Sequence, residues 1–246
     1  MKKPTNLLFA LFASLSLTVS PLWAQSPDKA AKQPKIEAAP NVKNFKALQK
    51  LNQQIVSLSK KAQPATVCLV AKNGRGAGSG VIVNQDGLIL TAAHVTSSMP
   101  GEIIVIFPDG TRKEAVSLGA DYDRDAAMVQ IKEPGKYPFV EVGQSKDLKR
   151  NQWTVALGHS GGFDPMRKPP VRLGRVLRNE KFIVTDTAVV GGDSGGPLFD
   201  AEGRVIGIHS NIGVSLMENR HVPIGVYHQQ WKSLKGAAAA EAAAAK

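Results

Sequence analysis

The 246-residue chain is 43% hydrophobic and 21% charged, enough apolar material for a buried core and too much for disorder throughout. Its formal charge of +11 is unevenly spread: residues 25–65 hold eight lysines against Asp28 and Glu37, whereas residues 66–236 hold 20 basic and 17 acidic side chains. A nearly balanced body, without a basic helix carrying interleaved aromatics, argues against a nucleic-acid-binding module and leaves the excess to a solvated linker attracted to an anionic membrane or cell wall.

In chain order, two lysines, an apolar run from Leu7 to Val19 and the small Ala24 predict a secretory signal peptide over residues 1–24, with a mature chain from Gln25. The run is shorter than the roughly 20 residues that span a bilayer, and no later stretch is apolar enough, so a mature periplasmic or secreted chain with no transmembrane segment is expected. Cys68 is the only cysteine, which excludes an internal disulfide, and its strand-like context "TVCLV" predicts a buried, inert thiol.

Residues 25–41, rich in Ala, Lys, Pro and Gln, read as a flexible linker. Over 42–64, Phe45, Leu48, Leu51, Ile55 and Leu58 recur at three- and four-residue spacing, predicting an amphipathic helix that Pro64 ends. From Thr66 the pattern changes to short β-branched runs, among them "TVCLVA", "GSGVIV", "LILTAA", "EIIVIF", "AAMVQI", "WTVALG", "VRLGRVL", "KFIVTD", "GPLFD" and "RVIGIHS", many followed by turn residues. Many short strands punctuated in this way predict an all-β sandwich or barrel. The Ala-rich tail at 236–246 carries no chemistry.

Ser194 stands in "GGDSGG", where glycines permit a tight turn whose amide N–H groups can converge beside the hydroxyl. The same letters satisfy the nucleophile elbow of an α/β-hydrolase, but that needs a following helix and a later acid and histidine, whereas Pro197 and "PLFD" follow here. Upstream, "LILTAAHV" puts His94 at the end of an apolar strand among small residues, and "DYDRDAAMVQI" puts Asp125 at the start of another, with Asp121 and Asp123 further out in the loop. A carboxylate there could accept a hydrogen bond from the imidazole and fix its tautomer. His, then Asp, then Ser is the chain order of the chymotrypsin arrangement.

"GSGVIVNQDGLILTAAHV", "DRDAAMVQI" and "TDTAVVGGDSGGPLFDAEGRVIGIHS" resemble, in order, the three motif blocks of trypsin-like serine endopeptidases, most closely the bacterial HtrA/Deg type. The resemblance covers residues 66–235 and implies two packed antiparallel β-barrels of the chymotrypsin type, about 66–147 and 150–235, with the site in the cleft between them. It implies a catalytic triad of His94, Asp125 and Ser194, and an oxyanion hole from the backbone N–H groups of Gly192 and Ser194. Protein or peptide substrates would be cut with no cofactor. PDZ domains usually follow the protease in this family, and none is expected after "VYHQQWKSLKG". Relatives form trimers through N-terminal segments, so the 42–64 helix could pack within one chain or mediate a homo-oligomer. Asp193 resembles the acid that pairs with a newly cut N-terminus in digestive enzymes. No Ile-Val-Gly-Gly sequence precedes the first barrel, so that acid needs another partner or solvent.

Aligned on Ser194, Ala188 and Val189 fall at the base of the specificity pocket, where trypsins carry an aspartate, so cleavage after Lys or Arg is disfavoured. Ser210 resembles the serine that supports the catalytic aspartate, and Asn211 and Ile212 would border the substrate backbone. His209 matches the histidine with which glutamate-specific members meet an acidic side chain, although their Ser or Thr is Val189 here. An acidic and a small aliphatic P1 preference therefore both stay open. His159, His221 and His228 match no compact zinc spacing, so no metal is expected and loop or surface roles are favoured. "GRGAGSG" at 74–80 lacks a phosphate-loop ending and reads as a loop between strands. A non-catalytic peptide-binding module and an esterase using the same triad remain the competing functions.

Overall fold

The computed structural model describes residues 44–74, 76–99, 102–213, 215 and 217–230. The expected signal peptide, the linker at 25–41 and the Ala-rich tail lie outside the described residues. Helix α1 spans Phe45–Ala62 and starts where the Asn44 side chain accepts a hydrogen bond from the Ala47 amide at 3.0 Å, satisfying one of the orphan donors of the first turn. The predicted stripe packs only in part: Leu51 and Leu58 are buried and Ile55 half-buried, whereas Phe45 and Leu48, in the first turns, are 73% and 49% exposed. A short 3-10 turn, Gln63–Ala65, contains Pro64 and delivers the chain into the first strand.

Among the described residues twelve strands follow, in two sets of six. The first set is β1 (Thr66–Ala71), β2 (Ala77–Ile82), β3 (Leu88–Thr91), β4 (Ile103–Ile106), β5 (Arg112–Asp121) and β6 (Ala126–Ile131). The second is β7 (Trp153–Leu157), β8 (Val171–Asn179), β9 (Ile183–Thr185), β10 (Pro197–Phe199), β11 (Val205–Ile212) and β12 (Asn219–Pro223). Each set closes into an antiparallel barrel, in the orders β1-β2-β3-β6-β5-β4 and β10-β11-β12-β9-β8-β7. Renumbered from its own first strand, the second order is the same as the first, so one topology is used twice. Closure pairs every strand on both edges and removes the unpaired N–H and C=O rows of an open sheet.

The larger of two apolar clusters joins the barrels and α1: Leu58 and Ala62 pack with Val67, Leu69, Leu90 and Met128 of the first barrel and Leu157, Phe199 and Ile208 of the second, while Ala156, Val176, Ile183 and Leu198 form a smaller cluster in the second barrel. Polar ties cross the same boundary. The Tyr227 hydroxyl, in the helical turns at 224–230, donates to the Thr91 carbonyl at 2.6 Å, and the Ser79 amide donates to the Ser194 carbonyl at 2.7 Å. The 74–80 stretch is not all loop, since β2 begins at Ala77. Gly78 and Gly80 lie where an added Cβ would come within 2.7 Å of Val95 and 2.6 Å of Ile89, so their role is close packing within the barrel.

Candidate active site

His94 lies in a one-turn helix, α2 (Ala93–Ser97), that follows directly on β3. Asp125 ends the turn between β5 and β6, in a left-handed backbone conformation with φ +56°, which is uncommon for any residue but glycine. The Asp121 carboxylate accepts the Arg124 amide at 3.0 Å and so stabilises the turn that presents Asp125. His94 Nδ1 stands 2.9 and 3.0 Å from the two Asp125 oxygens, and the His94 amide donates to Oδ1 at 3.0 Å. A carboxylate only accepts, so Nδ1 carries the hydrogen and Nε2 is left with its lone pair on a side chain that is 47% exposed.

The Ser210 hydroxyl, from β11 of the other barrel, donates to Asp125 Oδ2 at 2.5 Å, and the Asn211 amide group donates to the Ser210 hydroxyl at 3.0 Å. Burial would raise the Asp125 carboxyl, but the hydrogen bonds from the His94 ring, Ser210 and the His94 amide outweigh it and hold it below the ordinary carboxylate range. The acid of this pair therefore stays ionised.

Ser194 belongs to the turn between β9 and β10 and is half-buried. Two glycines show what shapes that turn. Gly195 has φ +83°, and a Cβ on it would fall 2.2 Å from the Ser79 carbonyl. Gly192 has φ +92°, and a Cβ would fall 2.5 Å from the His159 carbonyl. Only glycine allows both the backbone angle and the approach. A Cβ on Gly195 would also come within 3.2 Å of the Ala92 amide, two residues from His94, so the serine turn lies against the segment that carries the histidine. Among the described residues, no hydrogen bond joins Ser194 to His94, and the Gly192 and Ser194 amides have no internal acceptor. Those two N–H groups are available to a ligand.

The residues expected around the substrate divide into two groups. Ala188, Asn211 and Ile212 are exposed, whereas Val189 is buried, its amide donating to the Asn219 side chain at 3.1 Å. His209 is 1% exposed, with both ring nitrogens engaged inside the second barrel: Nε2 lies 3.0 Å from the Leu157 carbonyl and Nδ1 lies 2.9 Å from His221 Nδ1. Because the carbonyl fixes the hydrogen on Nε2, Nδ1 accepts from His221, and the ring has no donor left for a substrate carboxylate. Burial, together with the fields of His221 and Arg172, pushes the His209 ring well below the ordinary histidine range and keeps it neutral.

The loop or surface roles expected of His159 and His221 are corrected, since both are buried. His159 Nε2 donates to the Thr66 carbonyl at 3.1 Å, and burial lowers its pKa. Its amide donates to the Ser79 hydroxyl at 2.8 Å, and that hydroxyl donates to the Gly192 carbonyl at 2.7 Å. Ser79 thus links the first barrel to the glycine of the serine turn, a role for which "GSGV" gave no signal. Asp193 also has its partner: Arg172 of β8 grips it with two nitrogens, at 2.7 and 2.8 Å. Among the described residues no three His, Cys, Asp or Glu side chains converge as a metal site, and no helix is long and apolar enough to cross a membrane.

The sequence model of the trypsin-like peptidase domain matches residues 78–208, more than half of the chain, and the protein belongs to that family. Among curated relatives it is 40% identical over 146 residues to the probable periplasmic serine endoprotease DegP-like of Pseudomonas fulva, a match covering 57% of this chain and 30% of that one. The corresponding protein of Halomonas elongata is 39% identical over 143 residues, covering 56% of this chain and 30% of that one. The matched region thus spans less than a third of either relative. Among solved structures, an HtrA-type protease, AlgW with a tripeptide, superposes with a TM-score of 0.65 at 28% identity, covering 74% of this chain and 63% of that one. A serine endoprotease from Yersinia pestis shares the fold, with a TM-score of 0.65 at 24% identity, over 74% of this chain and 66% of that one.

Proposed function

We propose that this protein is an exported serine endopeptidase of the HtrA/Deg type, acting in the periplasm on protein substrates through His94, Asp125 and Ser194. The observation that supports the reading is the His94–Asp125 pair: Nδ1 held by an ionised carboxylate at 2.9 Å on a half-exposed side chain, with the serine turn packed against Ala92, two residues before the histidine. His94 Nε2 takes the Ser194 hydroxyl proton as Oγ attacks the peptide carbonyl carbon, and Asp125 stabilises the resulting imidazolium. The carbonyl oxygen, now an oxyanion, accepts hydrogen bonds from the Gly192 and Ser194 amides, each worth about 3–4 kcal/mol in such sites. His94 then protonates the leaving amine, the acyl-enzyme forms, and water hydrolyses it by the same steps in reverse roles.

For the cut site, a small aliphatic P1 residue is the better-supported preference. Ala188 and Val189 offer no charge at the pocket base, and His209 spends both ring nitrogens on Leu157 and His221. An acidic P1 would require the Leu157 bond to break first. Self-association through α1 is supported by Phe45 and Leu48, which continue its apolar stripe in the first turns and are exposed.

Reaction with a fluorophosphonate probe tests the central reading. Labelling that disappears in Ser194→Ala, together with cleavage of unfolded casein, supports an endopeptidase. Turnover of small esters without casein cleavage would make it an esterase, and a folded protein that never labels would make it a binding module. A peptide library with Glu, Ala and Val at P1 reads the pocket, and light scattering of Phe45→Ser/Leu48→Ser against the parent reads the assembly.

A further inference from the structure

Asp193 immediately precedes the nucleophile and is 0% exposed, so its carboxylate cannot be solvated by water. It accepts four hydrogen bonds: Arg172 Nη1 and the Val190 amide on Oδ2, at 2.7 and 2.8 Å, and Arg172 Nη2 and the Ser160 hydroxyl on Oδ1, at 2.8 and 2.7 Å. Arg172 Nη2 also donates to the Ser160 hydroxyl at 2.8 Å and Nη1 to the Ala188 carbonyl at 3.2 Å, so one planar guanidinium reaches both sides of the serine turn. Arg172 is itself fixed by the sheet, since it pairs with Ala156 of β7, which pairs with Leu198 just beyond the turn. The turn's own bonds converge on the same residue: the Asp193 amide donates to the Val190 carbonyl at 3.1 Å, and its carbonyl accepts the Gly196 amide at 2.8 Å. The loop carrying Ser160 closes the other side, where the Gly161 amide donates to the Gly191 carbonyl at 2.7 Å.

We infer that Arg172 is a positioning residue for catalysis: by clamping Asp193 it holds the Gly192 and Ser194 amides aimed at the reacting carbonyl, so the oxyanion site is assembled in the intact chain by an internal cation. The inference rests on the endopeptidase reading and adds how its site is kept in order. Without the guanidinium, the buried carboxylate is an uncompensated charge that must turn toward water, and residues 190–193 must turn with it. The donors then leave the positions where transition-state charge develops, while the substrate-binding surface is largely untouched. Lysine keeps the charge but cannot make the two-pronged contact and bridge to Ser160 together.

The test compares full-length parent, Arg172→Met, Arg172→Lys and Arg172→Met/Asp193→Asn by peptide-ester kinetics, fluorophosphonate labelling rate, thermal unfolding, and hydrogen exchange of residues 188–193. Arg172→Met is expected to unfold cooperatively, with kcat and labelling rate down on the order of 100-fold, KM within about threefold, and faster exchange at 188–193. Arg172→Lys should recover part of kcat, and the neutral double variant should recover exchange protection, because it removes the stranded charge. Should Arg172→Met fail to fold, Arg172→Lys carries the comparison. Parental kcat together with parental exchange in Arg172→Met, or in Arg172→Lys when that variant stands in, overturns the inference. A parent that never labels overturns the endopeptidase reading instead, and the exchange data still decide whether Arg172 orders the turn.

Discussion

His209 and His221 face each other across β11 and β12 with their Nδ1 atoms 2.9 Å apart, deep in the second barrel. One carbonyl sets both tautomers. Leu157 accepts from His209 Nε2, so His209 Nδ1 accepts from His221 Nδ1, and His221 Nε2 accepts from the Thr185 hydroxyl at 2.8 Å. Neither ring can take a proton without breaking this chain of bonds.

That arrangement predicts acid sensitivity. Burial lowers His221 from an ordinary 6.5 to about 3, and His209 also lies well below 6.5. Below pH 6.5 the unfolded chain protonates both rings while the folded one does not, so their contribution is intact above that pH and is lost as pH falls toward 3. Thermal unfolding at pH 7, 5.5 and 4 should show the fall, and His209→Val/His221→Leu should flatten it.

Ser210→Ala removes the hydroxyl that donates to Asp125 Oδ2. A charge-assisted bond of this kind is worth about 1.5–3 kcal/mol, so kcat/KM should drop at least roughly 10-fold. Asp125 is held low in the folded state, so its contribution to stability is present above the unfolded carboxylate range and is lost as pH falls through the folded value. With one donor gone the folded value rises toward the unfolded one, so the variant should have a smaller contribution to lose and should finish losing it at higher pH. Peptide-ester kinetics and acid titration by circular dichroism would read the two effects.

Gly192→Ala places a methyl 2.5 Å from the His159 carbonyl at a φ of +92°. The turn must move, and activity should fall by about 100-fold or more. Equal activity in the alanine variant would mean that this turn is not the oxyanion site.

Leu58 lies in the core shared by α1 and both barrels, whereas Phe45 is 73% exposed. Leu58→Ala should cost about 2–4 kcal/mol in urea unfolding, and Phe45→Ser within about 0.5 kcal/mol. Similar values for both would mean that α1 is not docked on the barrels.

Cys68 is buried and its thiol is raised from 9.0 to about 11. The thiolate is the reactive form, so an alkylating reagent at pH 8 should leave the folded protein unmodified and react once urea unfolds it.

The strands that were legible in the sequence are those with unbroken β-branched runs. β5 and β12 are not legible in this way for a physical reason: "RKEAVSLGAD" is mostly half-buried with only Ala115 fully buried, so it shows no apolar alternation, and "NRHVP" buries polar side chains that only barrel partners satisfy. The helical turns at 224–230 were missed as well, because Gly225 breaks the apolar pattern.

By itself, the sequence determined the fold class and the helix at its start and singled out His94, Asp125 and Ser194 as candidates, because period, turn chemistry and motif order are local properties of the chain. It could raise the question of what partners Asp193, but not answer it with Arg172, which lies 21 residues away and reaches the acid only when β8 is folded beside the serine turn. Nor could it decide which way His209 faces. The substrate and the barrel interior compete for the same ring, and the Leu157 carbonyl and His221 that engage it are supplied by strands distant in sequence. Long-range pairing, not residue type, decides such partners.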